Sequence, residues 1–347
     1  MNAAVTDRQA ELKNCNFVKT VLMLIVVLYH CMVFWTGTWF SEAPVHSSGA
    51  LALLSLWMNS FHVYSFALVS GYLFYYLKHE REAYQSFLPF ILNKAKRLLI
   101  PYVCIAAAWV IPFSVAFFHY DGITVFFKYL LGTSPSQLWF LLMLFGVFVV
   151  FYPLSSFFQK HLLAGMLLVA GFYGVGIIGQ SLLPDVFQVF RTCSYIPFFW
   201  LGFKIRQLGS CMLRKVPVWL WLFGHILLFA LVRFLVTMDG VIFELLRLGV
   251  DFVLHIIGAL MAFIILQKIA DHTKWQENKA FLLLGKYSMP VYLFHQQIVC
   301  VFLLLLNGVL NPYVHVVVNF VGAMVISLLL SVCMMRFKWT RILIGEK

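Results

Sequence analysis

The chain has 347 residues, 63% of them hydrophobic and 11% charged, with a formal net charge of +12. A soluble domain is about half apolar and about a quarter charged, so this composition excludes a soluble enzyme with an ordinary core. It fits a chain whose solvent is mostly lipid. The positive balance comes without a basic helix or a base-stacking motif, so nucleic acid is not an expected partner. It matches the Lys and Arg that membrane proteins keep on their cytoplasmic side.

The first sixteen residues are polar, and no small-residue cleavage site follows the apolar run, so the first span is expected to be retained. Apolar runs long enough to cross a bilayer fall at about 17–35, 51–77, 99–118, 138–158, 162–182, 190–205, 217–237, 248–267, 281–304 and 313–335. The second is long and the sixth is short. The expected fold is therefore an all-α integral membrane protein, a bundle of about ten transmembrane helices. Residues 1–347 form one transmembrane domain, with 1–16 a cytoplasmic N-terminal segment and 336–347 a cytoplasmic tail. No repeat of 20–50 residues and no appended soluble domain is visible.

Orientation follows from charge. With the N-terminus inside, 21 of the 25 Lys and Arg fall on the inner side, from Arg8, Lys13 and Lys19 to Arg336, Lys338, Arg341 and Lys347. Only Lys128, Arg191 and Arg247 fall on the outer side, and Arg233 lies within span seven. Both termini are thus expected in the cytoplasm, and the protein in a cell membrane as a multi-pass chain, the bacterial inner or plasma membrane in particular. Trp35, Trp39, Trp57 and Tyr120 lie near the outer ends, where aromatic belts are expected; stacking against sugar rings is a second role open to them. The seven cysteines have no CxxC or CxxH spacing, so they read as small core residues and no metal site is expected.

The first span carries two residues that lipid disfavours, Lys19 and His30. Eleven residues make nearly three helical turns, so both point the same way, about 16 Å apart along the axis. His62 and His295 fall at the same depth as His30, each about 20 Å from the inner boundary. An intramembrane histidine serves either as a hydrogen-bonded core residue or as a base. A neutral imidazole can take a proton from a hydroxyl as that hydroxyl attacks a carbonyl or thioester. Arg247, Asp251 and His255 share a helical face through i, i+4, i+8 spacing. Asp251 either orients His255 or pairs with Arg247 or Arg233, and the ion pair is favoured. Lys94, Lys96 and Arg97 either anchor the chain at the inner boundary or hold phosphate, with Lys19 nearby.

Several stretches resemble the acyltransferase-3 family of integral membrane O-acyltransferases. FVKTVLMLIVVLYH, with Lys19 and His30, is similar to its opening signature. FHVYSFALVSGYLF, with His62, Phe66, Ser70 and Gly71, resembles its second-span pattern. KAKRLLIPY, with Lys94, Arg97 and Pro101, is similar to its basic loop before span three, and QLWFLLMLF, with Trp139 and Phe140, to its fourth span. YIPFFWLG, with Tyr195 and Gly202, is similar to its span-six ending, and LGKYSMPVYLFH, with Gly285, Ser288, Tyr292 and His295, resembles its span-nine signature. Lys19 stands where many members have Arg, Asn16 where an acidic residue is usual, and Val63-Tyr64 where Met-Pro is usual.

The resemblance implies acyl transfer, usually acetyl, from cytoplasmic acyl-CoA to a hydroxyl of a surface polysaccharide or its lipid-linked precursor. Acyl-CoA is then a co-substrate and no cofactor is held permanently. It implies His30 as the leading catalytic residue, base or transient acyl carrier, with His62 and His295 orienting it or the acceptor. Lys19, Lys94, Lys96 and Arg97 are the expected acyl-CoA contacts. Asp251, His255, Arg233 and Tyr292 are expected to support the acceptor side. The alternative is a transporter or flippase for a glycolipid or small solute, against which stands the lack of an inverted repeat.

Overall fold

A computed structural model describes residues 2–40, 42–133 and 136–346, with side chains from residue 11 onward. The Arg8 side chain and Lys347, both counted above, lie outside the described residues. Among the described residues the chain is helical throughout, without a strand. The first passes are α1 (Asn2–Met32), α2 (Gly49–Asn59) with α3 (His62–Tyr75), and α4 (Phe87–Ile105) with α5 (Ile111–Phe118). A short α6 (Gly122–Leu131) precedes α7 (Trp139–Lys160), α8 (Leu162–Leu182) and α9 (Val189–Leu208). Then come α10 (Cys211–Lys215), α11 (Val218–Leu235), α12 (Val241–His272), α13 (Lys279–Leu306), α14 (Pro312–Arg336) and a final short α15 (Lys338–Leu343).

By length and apolarity, 9 stretches among the described residues can cross a membrane. The tenth expected span is α9, which is too polar for that criterion. Its 20 residues are still long enough, about 30 Å of helix. Protein rather than lipid surrounds most of it: Thr192, Ser194, Tyr195, Phe199 and Lys204 are all buried. By contrast α8 turns Leu163, Leu167 and Ile178 outward, where hydrocarbon replaces water.

The basic segments gather at one end of the bundle. Arg206, at the end of α9, holds Glu80 through two bonds of 2.7 Å and lies 3.4 Å from Glu11 of α1. Tyr72 donates to Glu11 at 2.5 Å and accepts from Arg206 at 2.9 Å. Asn14 donates to Asp271 at the end of α12, which also pairs with Arg214. The C-terminal residues return to the same end, where Gly345 packs on the Arg97 backbone and Ile344 is fully buried. Residues 11 and 346 therefore lie at one end. At the other end Asn307 ties to Ala43 and Val45, and Gln188 reaches the Gly132 carbonyl.

Two departures from the sequence reading shape the interior. The long second span is broken: α2 ends at Asn59 and α3 starts at His62. Non-helical backbone at membrane depth needs local partners. Here Ser60 N–H donates to the Trp57 carbonyl, Phe61 N–H to that of Met58, and Ser65 Oγ to that of Phe61. Second, KAKRLLIPY lies within α4, not in a loop before it. Lys94 and Arg97, three apart, share a helical face, and Lys96 points elsewhere.

Backbone contact between α3 and α9 is the tightest packing. A Cβ built on Gly71 would fall 1.8 Å from the Phe199 carbonyl oxygen, and one on Gly202 1.8 Å from that of Leu68. Small residues that let helices approach drive association in lipid, where no hydrophobic force does so. Beside this contact Phe74, Phe151, Phe199 and Phe203 form a fully buried ring cluster, with Phe151 and Phe199 centroids 4.7 Å apart.

The polar aromatics and cysteines are more varied than expected. Trp35 is buried and donates to the His46 carbonyl, Trp57 is half-buried and donates to His225, and Tyr120 is exposed. Cys15, Cys31 and Cys300 are core residues, but Cys104, Cys193, Cys211 and Cys333 are partly or fully exposed.

Candidate active site

A cavity of about 630 Å³ runs through the bundle core between α1, the α2–α3 break, α4, α7, α9 and α13. At the basic end Lys19, Lys94 and Arg97 line it. His30 and His62 stand within it, with Tyr29, Trp39 and Asn59 beside them. The far end carries Thr133, Ser136, Gln137, Trp139, Arg191 and Gln296.

His30 sits in the last turn of α1. Its Nδ1 is 2.8 Å from the Val26 carbonyl oxygen. A carbonyl only accepts, so Nδ1 carries the hydrogen. His295 on α13 is fixed in the same way, Nδ1–H donating to the Tyr292 carbonyl at 2.8 Å. Its Nε2 is therefore an acceptor, and it lies 3.3 Å from His30 Nδ1. The His30 N–H is thus shared between a carbonyl and a neutral imidazole. His30 Nε2 keeps a free lone pair, without a protein partner among the described residues. His62 repeats the pattern, Nδ1–H donating to Met58 at 2.7 Å across the helix break, and its ring lies 4.7 Å from that of Tyr29. The structure brings the three histidines together: His30 and His62 line the cavity, and His295 stands fully buried behind His30.

At the basic end, Lys94 lies 4.3 Å from the Phe148 ring centroid and its Nζ is 3.4 Å from the Tyr84 hydroxyl. Lys19, Lys94 and Arg97 form no salt bridge among the described residues. Burial of Glu346 on the tail raises its carboxyl above the ordinary range, while the nearby Arg97 pulls it down. Lys96 is exposed and does not reach the cavity. The reason is angular: two residues along a helix is about 200°, the far side of α4.

Of the four residues expected to support an acceptor, Tyr292 alone lines the cavity, its hydroxyl donating to the Gln137 carbonyl. Asp251, His255 and Arg233 stand outside it. Arg247 bonds Asp251 at 3.1 Å and also Glu244, which is the ion pair favoured from spacing. Arg233 is exposed and forms no salt bridge among the described residues. His255 stacks on Tyr64 with centroids 4.1 Å apart. Shared-face spacing correctly paired Arg247 with Asp251, but Asp251 does not orient His255, whose Nδ1 has no hydrogen-bond partner among the described residues.

Residues missed from sequence close the far end. Gln137 and Gln297 exchange amide bonds of 2.7 and 3.1 Å, and Gln137 also donates to the Leu293 carbonyl. Gln296 donates to Ser136 Oγ at 2.8 Å. Paired glutamines within an apolar run were the available signal, since buried amides need partners. Arg191 was legible only as an outer charge.

This arrangement, a polytopic helical bundle whose core encloses cations and a free imidazole lone pair, defines a membrane protein equipped for proton transfer on a polar substrate. The family model described as "Acyltransferase domain" matches residues 12–336. The chain belongs to the acyltransferase-3 family and is a membrane acyltransferase. No curated protein and no solved structure matches it.

Proposed function

We propose that the protein moves an acyl group, acetyl in the first instance, from cytoplasmic acyl-CoA to a hydroxyl of a cell-surface polysaccharide or its lipid-linked precursor. One observation carries the reading: a single cavity joins an unpaired basic cluster to His30 and continues to a polar far end. The basic end faces the cytoplasm, as the charge asymmetry requires. Lys19, Lys94 and Arg97 hold the phosphates of acyl-CoA, and its arm extends along α1 toward His30. Lys96 sits at the boundary and contributes by attraction alone.

At His30, Nε2 takes the proton of the acceptor hydroxyl as its oxygen attacks the thioester carbonyl carbon. The tetrahedral intermediate collapses, the C–S bond breaks, and the thiolate leaves with the proton from His30. The transient imidazolium is stabilised at Nδ1–H by two acceptors, the Val26 carbonyl and His295 Nε2. His295 takes the place that a carboxylate holds in other acid–base sites. His62, across the cavity wall on α3, orients the acceptor.

The test is label transfer. Purified protein is incubated with labelled acetyl-CoA and a crude glycan extract. Label on glycan that depends on the protein is expected; glycan left unlabelled under saturating acetyl-CoA would contradict the reading.

A further inference from the structure

The cavity holds four cations and no carboxylate among its described lining residues. Three of the cations cluster at the basic end, where the proposed acyl-CoA phosphates account for them. The fourth, Arg191, does not belong with them. It lies in the first turn of α9, about 22 Å along that helix from Arg206, which marks the basic end.

Its surroundings are built. Phe187 and Gln188 adopt left-handed backbone, φ 53° and 58°, to turn the chain into α9. Gln188 is buried and donates to the Gly132 carbonyl at 2.6 Å, which pins that turn. The guanidinium lies over Trp139, 4.6 Å from the ring centroid, and Trp139 packs on Tyr195 at 5.6 Å. The nearest acidic residue in sequence, Asp185, forms no salt bridge with it. Both Asp185 oxygens accept backbone N–H groups, from Phe190 at 2.7 Å and Arg191 at 3.0 Å. Arg191 forms no salt bridge among the described residues. A half-buried guanidinium whose fork has no direct ion-pair partner keeps its donors available, and a stacked Arg presents that fork edge-on for a planar or tetrahedral anion.

We infer that the far end of the cavity is an acceptor subsite for an anionic saccharide, whose carboxylate or phosphate pairs with Arg191 while its ring rests beside Trp139. Gln296 and Ser136, also at that end, supply the amide and hydroxyl that sugar hydroxyls require. This rests on the acyltransferase reading for the word acceptor; the charge preference itself does not.

The experiment measures equilibrium binding of three labelled probes to the full-length protein in lipid nanodiscs. The probes are a neutral oligosaccharide, the same length carrying a uronic acid, and one carrying a phosphate ester. At least one anionic probe is expected to bind about tenfold more tightly than the neutral one, and the stronger of the two identifies the anion. Arg191→Gln is expected to erase the preference, and Arg191→Lys to keep part of it, since charge survives but the planar fork is lost. Melting curves identify a variant that fails to fold, and the wild-type comparison stands without either variant. Equal binding of all three probes to wild type, or a preference that survives in folded Arg191→Gln, would overturn the inference. Acetyl-CoA binding, titrated without saccharide, reports on the acyltransferase reading separately.

Discussion

His30 and His295 form a pair in which one imidazole serves the other. Two carbonyls and the 3.3 Å contact leave only one ring nitrogen of His30 free for chemistry. His295 touches no cavity surface, so its effect must pass through His30. His295→Ala is expected to lower kcat by about tenfold or more, with acetyl-CoA affinity unchanged. His295→Asn, which restores an acceptor, is expected to recover part of the loss; steady-state kinetics read both, and an effect confined to KM would contradict the positioning role. Lys19→Ala is expected to weaken acetyl-CoA binding by about tenfold, and Lys96→Ala by less than about twofold. Equal effects in a binding titration would contradict the division made by helical angle. Much of this site was legible in sequence, because Lys19, His30, His62 and His295 are polar atoms in apolar runs. Arg191 was not, since a single outer charge looks the same whether it meets lipid headgroups or stacks on Trp139.

The α3–α9 pair is the element on which the cavity wall depends. His62 begins α3, and Gly71 lets that helix lie on α9 with no side chain between them. Gly71→Ala drives a methyl into the Phe199 carbonyl and is expected to cost about 1–3 kcal/mol. A thermal melt in detergent should show a clear fall, and an unchanged melting temperature would contradict the close approach. The motifs around Gly71 and Gly202 were visible in sequence, but not that they meet each other. The break at Asn59 was hidden as well, because hydropathy averages across Asn59-Ser60 and registers one long span. α9 was visible as a short apolar run; its polar residues are tolerated because neighbouring helices, not lipid, cover them.

At the scale of the whole molecule, alternating passes bring residue 11 and residue 346 to the same end, with the basic segments around both. We propose that this end is the cytoplasmic one, on the strength of the charge asymmetry. A cytoplasm-active reporter fused to the C-terminus should be active, and one in the loop after Leu182 inactive; the reverse pattern would contradict the orientation. The polytopic helical class and nine of the ten expected spans were legible because lipid imposes a length and apolarity rule on each span. The cavity was not, because it arises where several elements distant in sequence fail to fill the core. That cavity makes His30 the one group expected to meet both a cytoplasmic donor and an acceptor from the other face. The most direct measurement is acyl transfer from labelled acetyl-CoA to glycan by His30→Ala, at matched membrane level and topology. A loss of at least about 100-fold is expected, and transfer at the wild-type rate would contradict the role of His30.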